Sequence, residues 1–417
     1  MLLKVILISV LFCAIAFGDA PTKIDNVIIG AGIAGLSAAK RLLEKGEKST
    51  LVLEARSRLG GRIWTDTSLN YPVDLGATWI YGNSKQNPLS SIVSLKKLKV
   101  KETDYANTEF RNVDGSHMLY ADVSSSTAVY MKTLGEAENF GKVSDPDQPL
   151  GNIWQDLVKD LTPDVQLIVN GLLRSRLETQ FGTTIDNVSA KYAFSNNKNL
   201  PNSDVLFKDG FSQILRAFGD INISLKTKVT ALTSTSEGVL VETETGTSYL
   251  ARKVIVTIPL GVLRSGGIKF TPPLSDAKIN ALNSLEYGVM NKVVIEFPLP
   301  AWPSQVHLFV LGKDPLEFAI NWRYYTGRPT LIFHKFGAFD VNKTDSEIVD
   351  EIVQKFRAAY PALPEVQRYL VTRWESDPYA LGSLTSMGVG SSYPNTILQA
   401  KASIDKQVII IIIFSFF

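Results

Sequence analysis

Cysteine is almost missing from this chain of 417 residues: Cys13 is the single example, and it lies inside an N-terminal apolar run. With that run set aside, disulfide staples, a thiol nucleophile, a thiolate metal site and a cysteinyl cofactor link are excluded. Histidine is nearly as scarce. His117, His307 and His334 stand far apart without ligand spacing, so no metal is expected. Charge of one sign is also lacking: the formal net charge is +2, which leaves no overall basic excess for nucleic acid. There is no internal repeat and no low-complexity linker. What is present is a globular profile, 45% hydrophobic and 20% charged, long enough to bury one large core or two smaller ones.

The first residues, MLLKVILISVLFCAIAFGDA, set Lys4 before an apolar stretch and small residues after it. That layout predicts a signal peptide over residues 1–18, too short for a bilayer span, so no stable membrane span is expected after cleavage. The expected compartment is secreted or an endomembrane lumen. Asn187, Asn222 and Asn342 each begin a glycosylation triplet, in keeping with the same compartment.

Chemistry begins at NVIIGAGIAGLSAAKRLLEKG. Asn26 to Ile29 reads as a buried parallel strand. Gly30, Ala31, Gly32, Ile33, Ala34 and Gly35 then supply GxGxxG, and Leu36 to Lys45 has helical spacing. Gly30 permits the tight turn, Gly32 lets backbone approach a pyrophosphate, and Gly35 lets helix and strand pack closely. The phosphates would face the helix N-terminus. STLVLEAR reads as the second strand, ending at Glu54, where a carboxylate can accept from ribose hydroxyls. At this point both NAD and FAD fit. The next residues, Ala55, Arg56, Gly60, Gly61 and Arg62, could place a guanidinium and unobstructed backbone beside a diphosphate. On their own they would read as a surface turn with solvated arginines.

Further along, the pattern after Gly82 becomes mixed and mostly helical, with Leu157 to Arg176 a long amphipathic candidate and Pro163 near a helix start. Lys226 to Pro259 predicts an antiparallel meander leading into a strand, and Ser346 to Ala359 a helix stopped by Pro361.

VIIGAGIAGLSAA, LVLEARSRLGGR and VDLGATWIYG, followed late by KVTAL, VIVTIPLGVL, NKVVIEFPLPAW and TRWESDPYALGS, resemble the flavin-containing amine oxidases, in particular the polyamine oxidase and monoamine oxidase group. The resemblance runs from about Lys23 to Ser386. It implies an α/β fold in which a Rossmann-like FAD-binding domain (22–88, 203–282, 381–417) is interleaved with an α+β substrate-binding domain (89–202, 283–380). It also implies non-covalent FAD, with an amine substrate and oxygen as partners. Carried over by motif, Gly76, Ala77 and Thr78 lie beside the flavin, Val229 meets adenine, and Trp374 packs near the ring. Lys292 is the catalytic residue, contacting flavin N5 through a water. As an isolated lysine it would be a solvated strand-end charge. Tyr81 and Tyr379 are assigned to the substrate. The implied reaction transfers hydride from the amine α-carbon to flavin N5, giving an imine, an aldehyde on hydrolysis, and hydrogen peroxide.

The chain departs from the family at Tyr81, where polyamine oxidases often carry Glu or His, and at Met290, where some relatives have an aromatic residue. Its tail, KQVIIIIIFSFF, stands where an acidic FAD contact and a glycine-rich closing motif are expected, which suggests a truncated or misread end. The alternatives are an L-amino-acid oxidase, for which Arg323 is the carboxylate partner to test, and a non-catalytic FAD-binding remnant. A histone-demethylase reading conflicts with the signal peptide.

Overall fold

A computed structural model describes residues 20–112, 114–195, 203–311, 318–392, 396–397 and 407–411. The expected signal peptide and residues 412–417 of the tail lie outside the described residues.

The opening crossover forms as its sequence dictates. Thr22–Ile29 is a strand whose last four residues are buried, Ile33–Glu44 is a helix, and Thr50–Leu53 is a strand buried throughout. The two strands pair in parallel, and Thr22–Ile29 also pairs in parallel with Ser248–Val256. Burial on both faces explains the unbroken Val/Ile/Leu runs. On the far side of Thr50–Leu53, Ile223–Ser224 adds another parallel strand.

Ser248–Val256 does two jobs along its length. Its first half closes the antiparallel meander Val229–Thr235, Gly238–Thr243, Ser248–Val256. Its last residues, Val254 to Val256, take Val408–Ile410 as a parallel partner. The predicted meander is therefore present, and the apolar tail begins as a strand that buries Val408 and Ile410 and exposes Ile409. Val229–Thr235 is not an edge strand, because Lys269–Thr271 pairs along its other side.

A second sheet of six strands runs in the order Arg368–Val371, Met290–Glu296, Thr330–Phe336, Phe318–Asn321, Leu308–Leu311, Thr108–Arg111. The sheets draw on alternate stretches of the chain. Met290–Glu296 is flanked by a strand on each side, and its side chains alternate between two covered faces. Val293 and Ile295 pack with the helix Asp345–Ala359, while Val294 joins the core around the helices Leu150–Val158 and Pro163–Leu173. That is why the strand, polar ends included, is buried after Met290. Asp345–Ala359 starts in a capping box between Thr344 and Glu347, worth about 1 kcal/mol. The long helical candidate from Leu157 breaks before Pro163 and ends in a π-helical turn, Arg174–Glu178. No helix among the described residues is long and apolar enough to cross a membrane.

Candidate active site

One cavity of ≈ 1330 Å³ reaches from the glycine-rich turn to the six-stranded sheet. Gly30, Gly32, Ile33, Ala34, Glu54, Ala55, Arg56, Gly61, Arg62, Gly76, Ala77, Thr78, Tyr81, Val229, Lys292, Trp374 and Tyr379 all line it. Gly35 does not. A Cβ there would sit 1.9 Å from the Gly30 carbonyl oxygen, so this glycine serves the packing of helix on strand.

The three fingerprint glycines have separable causes. Gly30 holds a φ of +102°, and a Cβ on it would also lie 2.8 Å from Thr257 Oγ1. Thr257 itself donates to the Ile29 carbonyl at 2.8 Å. Gly32 is different: its φ is −74°, and the nearest protein atom to an added Cβ is Gly60 O at 3.8 Å. No protein neighbour demands glycine at this position. The cavity in front of it does, if the diphosphate of a dinucleotide has to approach the backbone there. Glu54, 6% exposed, accepts from Ala31 N at 2.7 Å and Arg56 N at 2.8 Å, which fixes the carboxylate at the end of the second strand. These features fit an adenine dinucleotide on elementary grounds.

The arginines divide. Arg56 forms a two-point ion pair with Asp377, and its guanidinium lies 5.2 Å from the Tyr379 ring centroid. Arg62 instead donates to a carbonyl, Ser383 O, at 2.5 Å. Tyr379 lines the cavity beside the Glu54–Arg56 turn, and the Asp377 carboxylate accepts from its backbone N–H at 2.9 Å.

At the other end, Lys292 is 3% exposed and so is not a solvated strand-end charge. Its Nζ donates to Asp74 O at 2.9 Å, Gly76 O at 2.6 Å and Thr78 Oγ1 at 2.5 Å. Three acceptors match the three N–H groups of an ammonium. Burial nevertheless holds its pKa below the usual lysine range, with the Asp74 charge opposing in part. Trp374, 4% exposed, meets Trp64 edge-on with centroids 6.1 Å apart and points Nε1 at Leu75 O. Tyr81 is pushed far above the usual phenol range, first by burial and then by Asp204, so it enters reactions as a neutral hydroxyl.

Several groups went unread in the sequence. Asp74, 1% exposed, accepts from Thr65 Oγ1 and Phe211 N, which anchors the turn that presents its own carbonyl to Lys292. It sits within the VDLGATWIYG motif, two residues before Gly76. Asp204 lines the cavity and accepts from Gly82 N at 2.8 Å and Tyr105 Oη at 3.0 Å. His307 and His334 line it too, and nothing in their local sequence signalled that. Arg323 donates to the Trp302 carbonyl at 3.0 Å and is not among the lining residues. Arg176, from the π-helical turn, does line the cavity. No group of three potential metal ligands occurs among the described residues.

A parallel crossover with a glycine turn, a ribose-side carboxylate and a cavity ending at a buried lysine defines a dinucleotide-dependent oxidoreductase. Residues 33–408 match the flavin containing amine oxidoreductase family, and the chain belongs to it; its cofactor is FAD. It is 32% identical over 385 residues to polyamine oxidase 4 of Oryza sativa subsp. japonica, covering 87% of this chain and 78% of that protein. Polyamine oxidase 5 of the same plant is 31% identical, with the same coverage. Lysine-specific histone demethylase 2 of Homo sapiens is 28% identical over 88% of this chain but only 48% of that protein. The chain is a flavin-dependent amine oxidase.

Proposed function

We propose that this enzyme oxidises a polyamine, or a related primary or secondary amine, at the carbon beside nitrogen. Oxygen is the final acceptor, and an imine and hydrogen peroxide are the products. The observation that carries the reading is the continuity of one cavity from Glu54 and Gly32 to Lys292 and Trp374. Bound FAD supplies the hydride acceptor. The protein supplies position, dryness and proton control.

The Gly30–Gly35 turn, Glu54 and Arg62 would hold the dinucleotide, and the Gly76–Thr78 turn with Trp374 would flank its ring. Trp374 and the apolar side chains that the six-stranded sheet gives the cavity, Leu308, Phe318 and Ile320, exclude water and confine the substrate carbon chain. Asp204 supports a substrate with more than one nitrogen, because a carboxylate on the cavity wall favours a distal ammonium while the reacting nitrogen is neutral. Lys292 suits the oxygen step. When neutral it keeps two N–H groups for the Asp74 and Gly76 carbonyls, and, with the Thr78 hydroxyl donating to Gly76 O, its lone pair is free to accept a proton.

The amino-acid oxidase reading loses support with Arg323, which is bonded to a backbone carbonyl, and would have to move to Arg176. Anaerobic mixing of the flavin-loaded protein with spermine, spermidine, their acetylated forms and L-amino acids decides. Bleaching by the first group supports the proposal. Bleaching by amino acids alone overturns it, and a colourless protein that takes up no FAD identifies a remnant.

We further propose a secreted or lumenal location. Asn187, Asn222 and Asn342 are all exposed, which supports access for glycosylation. A mobility shift of protein from its native host on glycosidase treatment is expected; none, with an intact N-terminus, contradicts it.

A further inference from the structure

His334 is only 6% exposed, yet neither Nδ1 nor Nε2 has a hydrogen-bond partner among the described residues. A neutral imidazole carries one N–H and one lone pair, so two polar groups stand unmatched in a nearly enclosed place. Native proteins rarely leave such groups orphaned, and the exceptions call for a functional explanation.

The surroundings narrow that explanation. His334 is directly opposite Lys292 in the antiparallel pairing of Thr330–Phe336 with Met290–Glu296, and such partners share one face of the sheet. Phe318 and Trp79 meet the ring edge-on, with centroids 5.1 and 6.2 Å away. All four residues line the cavity. The apolar contacts lock the ring without satisfying its nitrogens. Burial and the neighbouring Lys292 charge push its pKa well below the ordinary histidine value, so the ring is neutral and keeps an acceptor.

We propose that His334 accepts a hydrogen bond from an N–H of the reacting amine, so that the site takes primary and secondary amines and discriminates against tertiary ones. The inference rests on the amine-oxidation reading. A neutral secondary amine has one N–H and one lone pair. If the imidazole holds the N–H, the lone pair is left free to assist hydride departure from the adjacent carbon, and the nitrogen is oriented at the same time. A tertiary amine has no hydrogen to offer and leaves the imidazole unmatched.

The test uses the flavin-loaded full chain and an amine that bleaches the wild type anaerobically, alongside its counterpart methylated to a tertiary amine at the oxidised nitrogen. Wild type should reduce faster with the N–H substrate by about tenfold, the scale of one buried hydrogen bond. His334→Leu should bring that ratio close to one, keep the flavin spectrum, and keep or raise Tm, because it removes an unsatisfied polar group. His334→Gln, which restores an acceptor, should recover part of the ratio. Wild-type discrimination surviving in His334→Leu would overturn the inference. If the leucine variant does not fold, the glutamine variant decides: a ratio unchanged at one in wild type and variant overturns it. If wild type is bleached by no amine, the function reading itself has failed, and this inference with it.

Discussion

Arg56 and Asp377, 321 positions apart, meet through Nη1 to Oδ2 at 2.9 Å and Nη2 to Oδ1 at 2.7 Å. The pair ties the turn after the ribose-side carboxylate to the loop that follows Trp374. The side chains are 13% and 18% exposed, between a surface pair and a buried one. Asp377→Asn should therefore cost more than the roughly 1 kcal/mol of a surface pair but less than the ~3–5 kcal/mol of a buried one. Urea unfolding measures this, and FAD retention after gel filtration should fall in parallel.

The fingerprint glycines allow a cleaner separation. Gly32→Ala has an unstrained φ and no protein atom nearer than 3.8 Å to its methyl, so Tm of the apoprotein should barely move while FAD affinity drops. Gly35→Ala would drive a methyl to within 1.9 Å of the Gly30 carbonyl, so folding itself should suffer. Equal Tm losses in the two variants would mean that Gly32 is a packing glycine too.

For Lys292→Met, flavin binding should survive, since the Nζ contacts are to the Asp74–Thr78 segment and not to the glycine turn. Reoxidation of the reduced enzyme by oxygen should slow by roughly a hundredfold, the lower end of general acid–base contributions. Burial lowers the wild-type lysine pKa, so its neutral form gains population at a lower pH than an exposed lysine would allow. The wild-type reoxidation profile should accordingly contain an ionisation below the ordinary lysine value of about 10.4, and the variant should lose it. Stopped-flow oxidation across pH reads both effects. Matching losses in flavin affinity and reoxidation would contradict the assigned role.

His307 offers a stability test. It is 1% exposed, and burial pushes it down to about 4. Between that value and the unfolded value of about 6.5 the unfolded chain binds more protons, so stability falls as pH drops through this window and levels off below it. The full window is worth up to about 3 kcal/mol. His307→Gln should flatten the part of the urea midpoint's pH dependence that His307 contributes between pH 7 and 4. An unchanged slope would locate the acid sensitivity elsewhere, with His334 the first place to look, since burial shifts it in the same direction.

The first crossover was legible because its determinants are neighbours in sequence. A buried strand, a glycine turn, an amphipathic helix and a carboxylate at the next strand's end occur within about thirty residues of one another, so periodicity and turn chemistry suffice. The capped helix Asp345–Ala359 and the meander after Lys226 were readable for the same reason. Lys292 was legible only through resemblance, since a lysine at the edge of an apolar run ordinarily reads as solvated. The fold alone decided that its Nζ would meet carbonyls 218 and 216 positions away. The fold also placed Asp204 in the cavity, brought Tyr379 beside Arg56, and set His334 across from Lys292 with ring nitrogens that find no hydrogen-bond partner among the described residues. Such contacts leave no local trace, because they arise where two sheets built from alternating stretches of chain close around one space.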